Sequence, residues 1–163
     1  MIKKIKKKNR IMNNIDILCE NIDEPQWLER VRFFLDPLLD LLSIDNWEFS
    51  LTFCDNQFIH KLNRDYREKD GPTDVLTFAQ NDDPFPFEGE EELHSAGDII
   101  ISLDTLEENA EYFHVAKEEE LKRLVIHGVL HLTGLDHSDN SPEQEMLIYQ
   151  EKLLKQLTGV KIF

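Results

Sequence analysis

No apolar stretch in these 163 residues approaches the roughly 18 needed to cross a bilayer, which argues against a helical membrane anchor. The lysine-rich start, MIKKIKKKNRIMNN, lacks the apolar centre and small-residue cleavage site of a secretory signal. It reads as a disordered tail over residues 1–12, with a basic arm touching RNA as the sharper alternative and Met12 as a second candidate start. Cysteine is scarce. Cys19 and Cys54 are far apart and neither has metal-ligand spacing, so a disulfide framework is excluded and two buried thiols in a reducing cytoplasm are expected. Positive charge is also scarce beyond the tail: residues 1–10 hold six of the 18 Lys and Arg, leaving 12 against 33 Asp and Glu, a net of −21. Such a surface repels polyanions at long range, so a general nucleic-acid binder is disfavoured and any such role must rest on a local basic site.

With 40% hydrophobic and 31% charged residues the chain reads as soluble and globular, with one domain over 13–163. Alternation predicts strands at 15–22, 47–53 and 74–79, and the unbroken isoleucines of GDIIIS predict a central strand at 97–102. Helical periodicity predicts a helix from Pro25 to about Leu42 and another from an Asp55 N-cap to about Tyr66. Asp104 with Glu107 suggests a capping box for a helix near 105–114. A helix is expected from Lys117 to Thr133, and Ser141-Pro142-Glu143-Gln144 suggests the start of a last one ending near Leu157, with Met146 in the core. Residues 81–95, acidic with two prolines, read as a loop or lid. The fold class is α+β: a small mixed four-stranded sheet packed with helices, one of them a zincin-like metal helix.

That helix carries the densest chemistry of the chain. His127, His131 and His137 occur in HGVLHLTGLDH, the first two at i and i+4 on one helical face. Gly134 is placed to end the helix in a left-handed turn and bring His137 back. Three imidazoles with a fourth position open form the ligand set of one catalytic zinc ion (Zn2+); neutral ligands leave the ion its full double-positive charge, which lowers a bound water's pKa to about 7. The bland alternative is two core histidines and one loop histidine. Asp136 is the nearest carboxylate and suits either a proton acceptor or a turn cap. A zinc protease of this spacing carries a glutamate immediately after the first histidine; here that residue is Gly128, which demotes a peptide-bond hydrolase.

The run from His127 to His137, with Gly128 and Asp136, resembles the YbeY family of bacterial metal-dependent endoribonucleases. The resemblance extends upstream through Leu62-Asn63, Tyr66-Arg67, Lys69-Asp70 and Pro72-Thr73-Asp74-Val75-Leu76-Thr77-Phe78, then Ala96-Gly97-Asp98-Ile99-Ile100-Ile101. Thr77 replaces the family's usual serine and keeps the hydroxyl. By this resemblance His127, His131 and His137 bind zinc, and Arg67 is the active-site arginine. A guanidinium suits that role because it binds phosphate bidentately, unless it is consumed by Asp65, Asp70 or Asp74. The resemblance implies a zinc-dependent, single-strand-specific endoribonuclease of 16S rRNA 3′-end maturation and ribosome quality control. Its partners would be single-stranded rRNA and the small ribosomal subunit with its proteins, with neither membrane nor DNA. The alternatives are a zinc amidase or protease, and a ribosome-assembly factor whose metal is structural.

Overall fold

In a computed structural model of the chain, residues 12–80 and 93–163 are described. Residues 1–11 of the lysine-rich start and 81–92 of the acidic 81–95 stretch lie outside them. Four strands, β1 (Asn14–Glu20), β2 (Trp47–Cys54), β3 (Val75–Ala79) and β4 (His94–Ser102), form one mixed sheet. Its order is β1-β2-β4-β3, with β1, β2 and β4 parallel and β3 antiparallel on the outer side of β4. The isoleucine-rich strand is therefore interior, as its lack of alternation implies. It also begins earlier than its sequence suggests. His94 to Ala96 join through a bulge in which β2 steps from Glu48, opposite Ser95, to Phe49, opposite Gly97. Gly97 sits at φ +136°, where a β-carbon would lie 2.1 Å from the Phe78 carbonyl oxygen. Only glycine permits that approach.

The helices are α1 (Arg30–Leu41), α2 (Asn56–Arg67), α3 (Leu103–Phe113), α4 (Lys117–Leu132) and α5 (Glu145–Gln156). Strand alternation divides the apolar residues between two faces. Phe49, Leu51, Phe53, Ile99 and Ile101 join α1, α4 and α5 in the main core, whereas Cys54, Leu76 and Ile100 meet Ile59 of α2 on the other face. Side chains such as Leu51, Ile99 and Ile101 are fully buried, each worth about 1.5–3 kcal/mol relative to exposure. Cys54 belongs to this interior, and burial pushes its thiol up to about 12; Cys19 is only partly buried. Among the described residues, no helix is long and apolar enough to cross a membrane.

Three helix starts differ from expectation. Residues Pro25–Val31 are wound by i→i−3 bonds (Leu28 N–H to Pro25 O, Arg30 to Trp27, Val31 to Leu28), so α1 proper begins at Arg30. Ser102, not Asp104, caps α3 by accepting from the Thr105 N–H, while Asp104 accepts from the Asn56 N–H at the start of α2. Glu107 instead pairs with Lys117. The Ser141–Gln144 segment forms a separate turn (Gln144 N–H to Ser141 O), and α5 starts at Glu145.

Candidate metal centre and active-site cleft

α4 packs across β3 and β4, and its His127 and His131 line a cleft shared with β3. What sets its closeness is Gly128. A β-carbon there would lie 2.6 Å from Ile99 Cγ2 on β4, so the residue after the first histidine faces the core and has no room for a carboxylate. The helix ends as its glycine implies: Gly134, at φ +95°, donates to the His131 carbonyl and Leu135 to the Leu130 carbonyl. This is a Schellman turn. It folds the following residues back over the helix face and brings His137 beside the other two rings, with centroids 5.0 Å from His127 and 5.3 Å from His131.

Each ring is aimed by an oxygen behind it. Nδ1 faces Gln150 Oε1 in His127 (2.7 Å), the Leu135 carbonyl in His131 (3.0 Å) and the Asp139 carbonyl in His137 (2.9 Å). All three partners accept, which places the proton on Nδ1 and leaves Nε2 bare. The Nε2 atoms of His127 and His131 stand 3.0 Å apart, and one ligand atom from each of the three rings lies within 4.8 Å of the others. Converging lone pairs at that distance repel unless a cation lies between them. Three neutral imidazoles with outward-facing protons therefore fit a metal ion, and among the described residues no other cluster of this kind occurs. Burial depresses the basicity of His127, against the Gln150 hydrogen bond. It does the same for His131, helped by the neighbouring His127. Both rings are thereby kept available as ligands.

The histidines floor a cleft of about 530 Å³ that Arg67, Lys69, Thr77 and Asp136 also line. Arg67 reaches it from the end of α2, where Glu68 takes a left-handed cap and buried Asn63 ties the turn by donating to the Gly71 carbonyl at 2.9 Å. Its guanidinium donates to the Thr77 carbonyl at 2.8 Å and lies 5.3 Å from the Phe78 ring centroid. None of the three nearby acids consumes it. Asp65 pairs with Arg64, Asp70 with His60, and Asp74 accepts from Val75 N–H and Asn109. Asp136 is exposed: it caps the His137 N–H at 2.8 Å and stands 3.9 Å from His131 Nδ1, whose hydrogen bond goes to Leu135 instead. Met146 is in the core.

A family model described as endoribonuclease YbeY matches residues 11–158. The chain belongs to the endoribonuclease YbeY family. A curated endoribonuclease YbeY of Treponema denticola is 55% identical over 93% of this chain and 99% of its own length. One from Borrelia duttonii is 40% identical over 92% and 99%. The solution structure of a Thermotoga maritima protein superposes with a TM-score of 0.61 at 32% identity, covering 89% of each chain. Of the YbeY motifs read from the sequence, Arg67, Lys69, Val75 to Thr77 and the histidine run line this cleft, whereas Leu62, Tyr66, Phe78, Asp98 and Ile100 line a second hollow; sequence reasoning missed Gln150. It is a polar side chain in the apolar stripe Met146, Leu153, Leu154 of α5, 6% exposed, and that misfit was the available signal.

Proposed function

We propose that this chain is a zinc-dependent, single-strand-specific endoribonuclease acting in 16S rRNA 3′-end maturation and ribosome quality control. The observation that carries the cleavage reading is a three-imidazole donor set sharing one cleft with an arginine that no carboxylate among the described residues neutralises. His127, His131 and His137 would hold the ion, and an all-nitrogen set with an open position favours zinc. When bound, such an ion lowers the pKa of a water and offsets charge on a phosphoryl oxygen. Arg67 presents paired N–H donors to the phosphate and opposes the charge that builds up at phosphorus. Asp136, exposed at the rim, takes the proton that the attacking water gives up. The rRNA and ribosome assignments rest on the YbeY resemblance. A ribosomal role implies work in the cytoplasm, and the net of −21 outside the tail suits a nuclease directed by docking on small-subunit protein and rRNA together. The closed space at Gly128 weighs against a peptide hydrolase, whose general base that position would carry.

The test is metal analysis combined with cleavage of a single-stranded rRNA fragment. His131→Ala should lose metal and cleavage together. Arg67→Ala should keep its metal and lose cleavage by roughly 10²–10³-fold, the cost of one charge-stabilising donor. Wild-type cleavage rates in Arg67→Ala would remove the role given to that residue. Metal-loaded wild type that never cuts RNA would leave a structural metal.

A further inference from the structure

The cleft accounts for a phosphate and leaves unexplained what lies across the edge of β3 from it. Thr77 lines the metal cleft; Phe78, the next residue, turns to the opposite face of the sheet. There Tyr66 meets it edge-on, with centroids 5.5 Å apart at 71°, yet Tyr66 remains 67% exposed. Phe78 is thus shared: Tyr66 abuts it, and the guanidinium of Arg67 lies against its ring. Beside the pair opens a hollow of about 390 Å³ whose lining includes Tyr66, Phe78, Phe58, Leu62, Asp98 and Glu20.

Charge says which part of a nucleotide suits this hollow. Asp98 and Glu20 repel phosphate, whereas Lys61, Arg64, Arg67 and Lys69 place four of the twelve cations outside residues 1–10 within nine residues of chain. A flat, uncharged base belongs in the hollow and its phosphates belong on the α2 side. Positive charge beside exposed aromatic rings is the pattern that holds single-stranded nucleic acid. We propose that Tyr66 and Phe78 form a stacking platform for the base next to the phosphate held by Arg67. The platform deepens the ribonuclease reading and rests on it. A base can reach it only when unpaired, so it supplies a physical basis for single-strand preference at this site.

The experiment uses the full chain and a single-stranded oligoribonucleotide with 2-aminopurine at successive positions. Wild type should quench one position beside the cut. Tyr66→Ala should abolish that quenching and raise KM by roughly 5- to 150-fold, the range for losing one stacked base, while Tyr66→Phe behaves as wild type. An abasic nucleotide at the quenched position should weaken wild type by the same factor and leave Tyr66→Ala unaffected. Equal binding and cleavage by wild type and Tyr66→Ala, or an abasic penalty of the same size in both, would overturn the platform while leaving the ribonuclease intact. Wild type that neither binds nor cuts the oligonucleotide would sink both.

Discussion

Gln150, 6% exposed on α5, accepts the Nδ1 hydrogen of His127 from 2.7 Å and so fixes which nitrogen of that ring faces the metal cleft. Its amide nitrogen lies 3.4 Å from Glu151, whose carboxylate receives Arg123 at 2.8 Å; Arg123 also holds buried Glu120 at 2.8 Å. The metal helix and the last helix are thus joined by one polar chain. Gln150→Leu should keep the fold and weaken metal binding by about 10–100-fold, the usual cost of losing such an orienting partner. Competition against a chelator of known affinity measures it. An unchanged metal affinity would show that packing alone orients His127.

Arg123 is the hub of that chain. Replacing it by methionine preserves most of the side chain's length but strands Glu120, which burial already pushes above the ordinary carboxylate range. Arg123→Met should destabilise the protein by about 3 kcal/mol, at the low end for breaking a buried pair because Arg123 itself retains some exposure. A double variant, Arg123→Met with Glu120→Gln, should recover part of the loss. Urea denaturation of wild type and the two variants decides the matter.

Glycine inside a helix normally costs about 1 kcal/mol relative to alanine, so Gly→Ala ordinarily stabilises. Gly128 should reverse that sign. Its added methyl would press on Ile99 of an interior strand, and overpacking costs about 1–3 kcal/mol. Gly128→Ala should therefore lower the midpoint of thermal unfolding. A raised midpoint would mean that β4 yields more readily than its burial implies.

Acid should weaken the metal-free fold through the histidines. His127 and His131 have native pKa values below 6.5 because of burial, while the unfolded chain titrates near 6.5. Below that pH the unfolded state binds more protons, so stability falls as the pH drops from 6.5 towards the native values and is level above 6.5. Chelator-treated protein followed by urea unfolding at a series of pH values checks the sign. Replacing both residues by glutamine should flatten that part of the profile.

Local chemistry was readable from the chain wherever a residue acts on its near neighbours. The i, i+4 histidines, the Gly134 turn and the Asp55 cap, which accepts from the Phe58 N–H at 2.9 Å, all operate within one or two turns. What escaped reading depends on partners distant in sequence. Ser102 displaced Asp104 as the α3 cap because β4 delivers its hydroxyl there and α2 claims the carboxylate of Asp104. The first residues of β4 looked like loop because polar residues and a bulge hide their pairing with β2. Gln150 became meaningful only once α5 lay beside α4. Arg67 was identified by resemblance, but its freedom from Asp65, Asp70 and Asp74 required knowing where those acids point.

The hydrogen bond from Arg67 to the Thr77 carbonyl has a second effect. β3 is an edge strand beside the histidines, and Thr77 directs its backbone groups outward, away from β4. An open edge next to the histidine cleft is where an extended polypeptide could settle as an additional strand, using those backbone groups as its template. The guanidinium occupies one of them. Under the proposed function, the bond that would aim a cation at a passing phosphate also bars a would-be fifth strand, so a single side chain would both invite one polymer and turn another away.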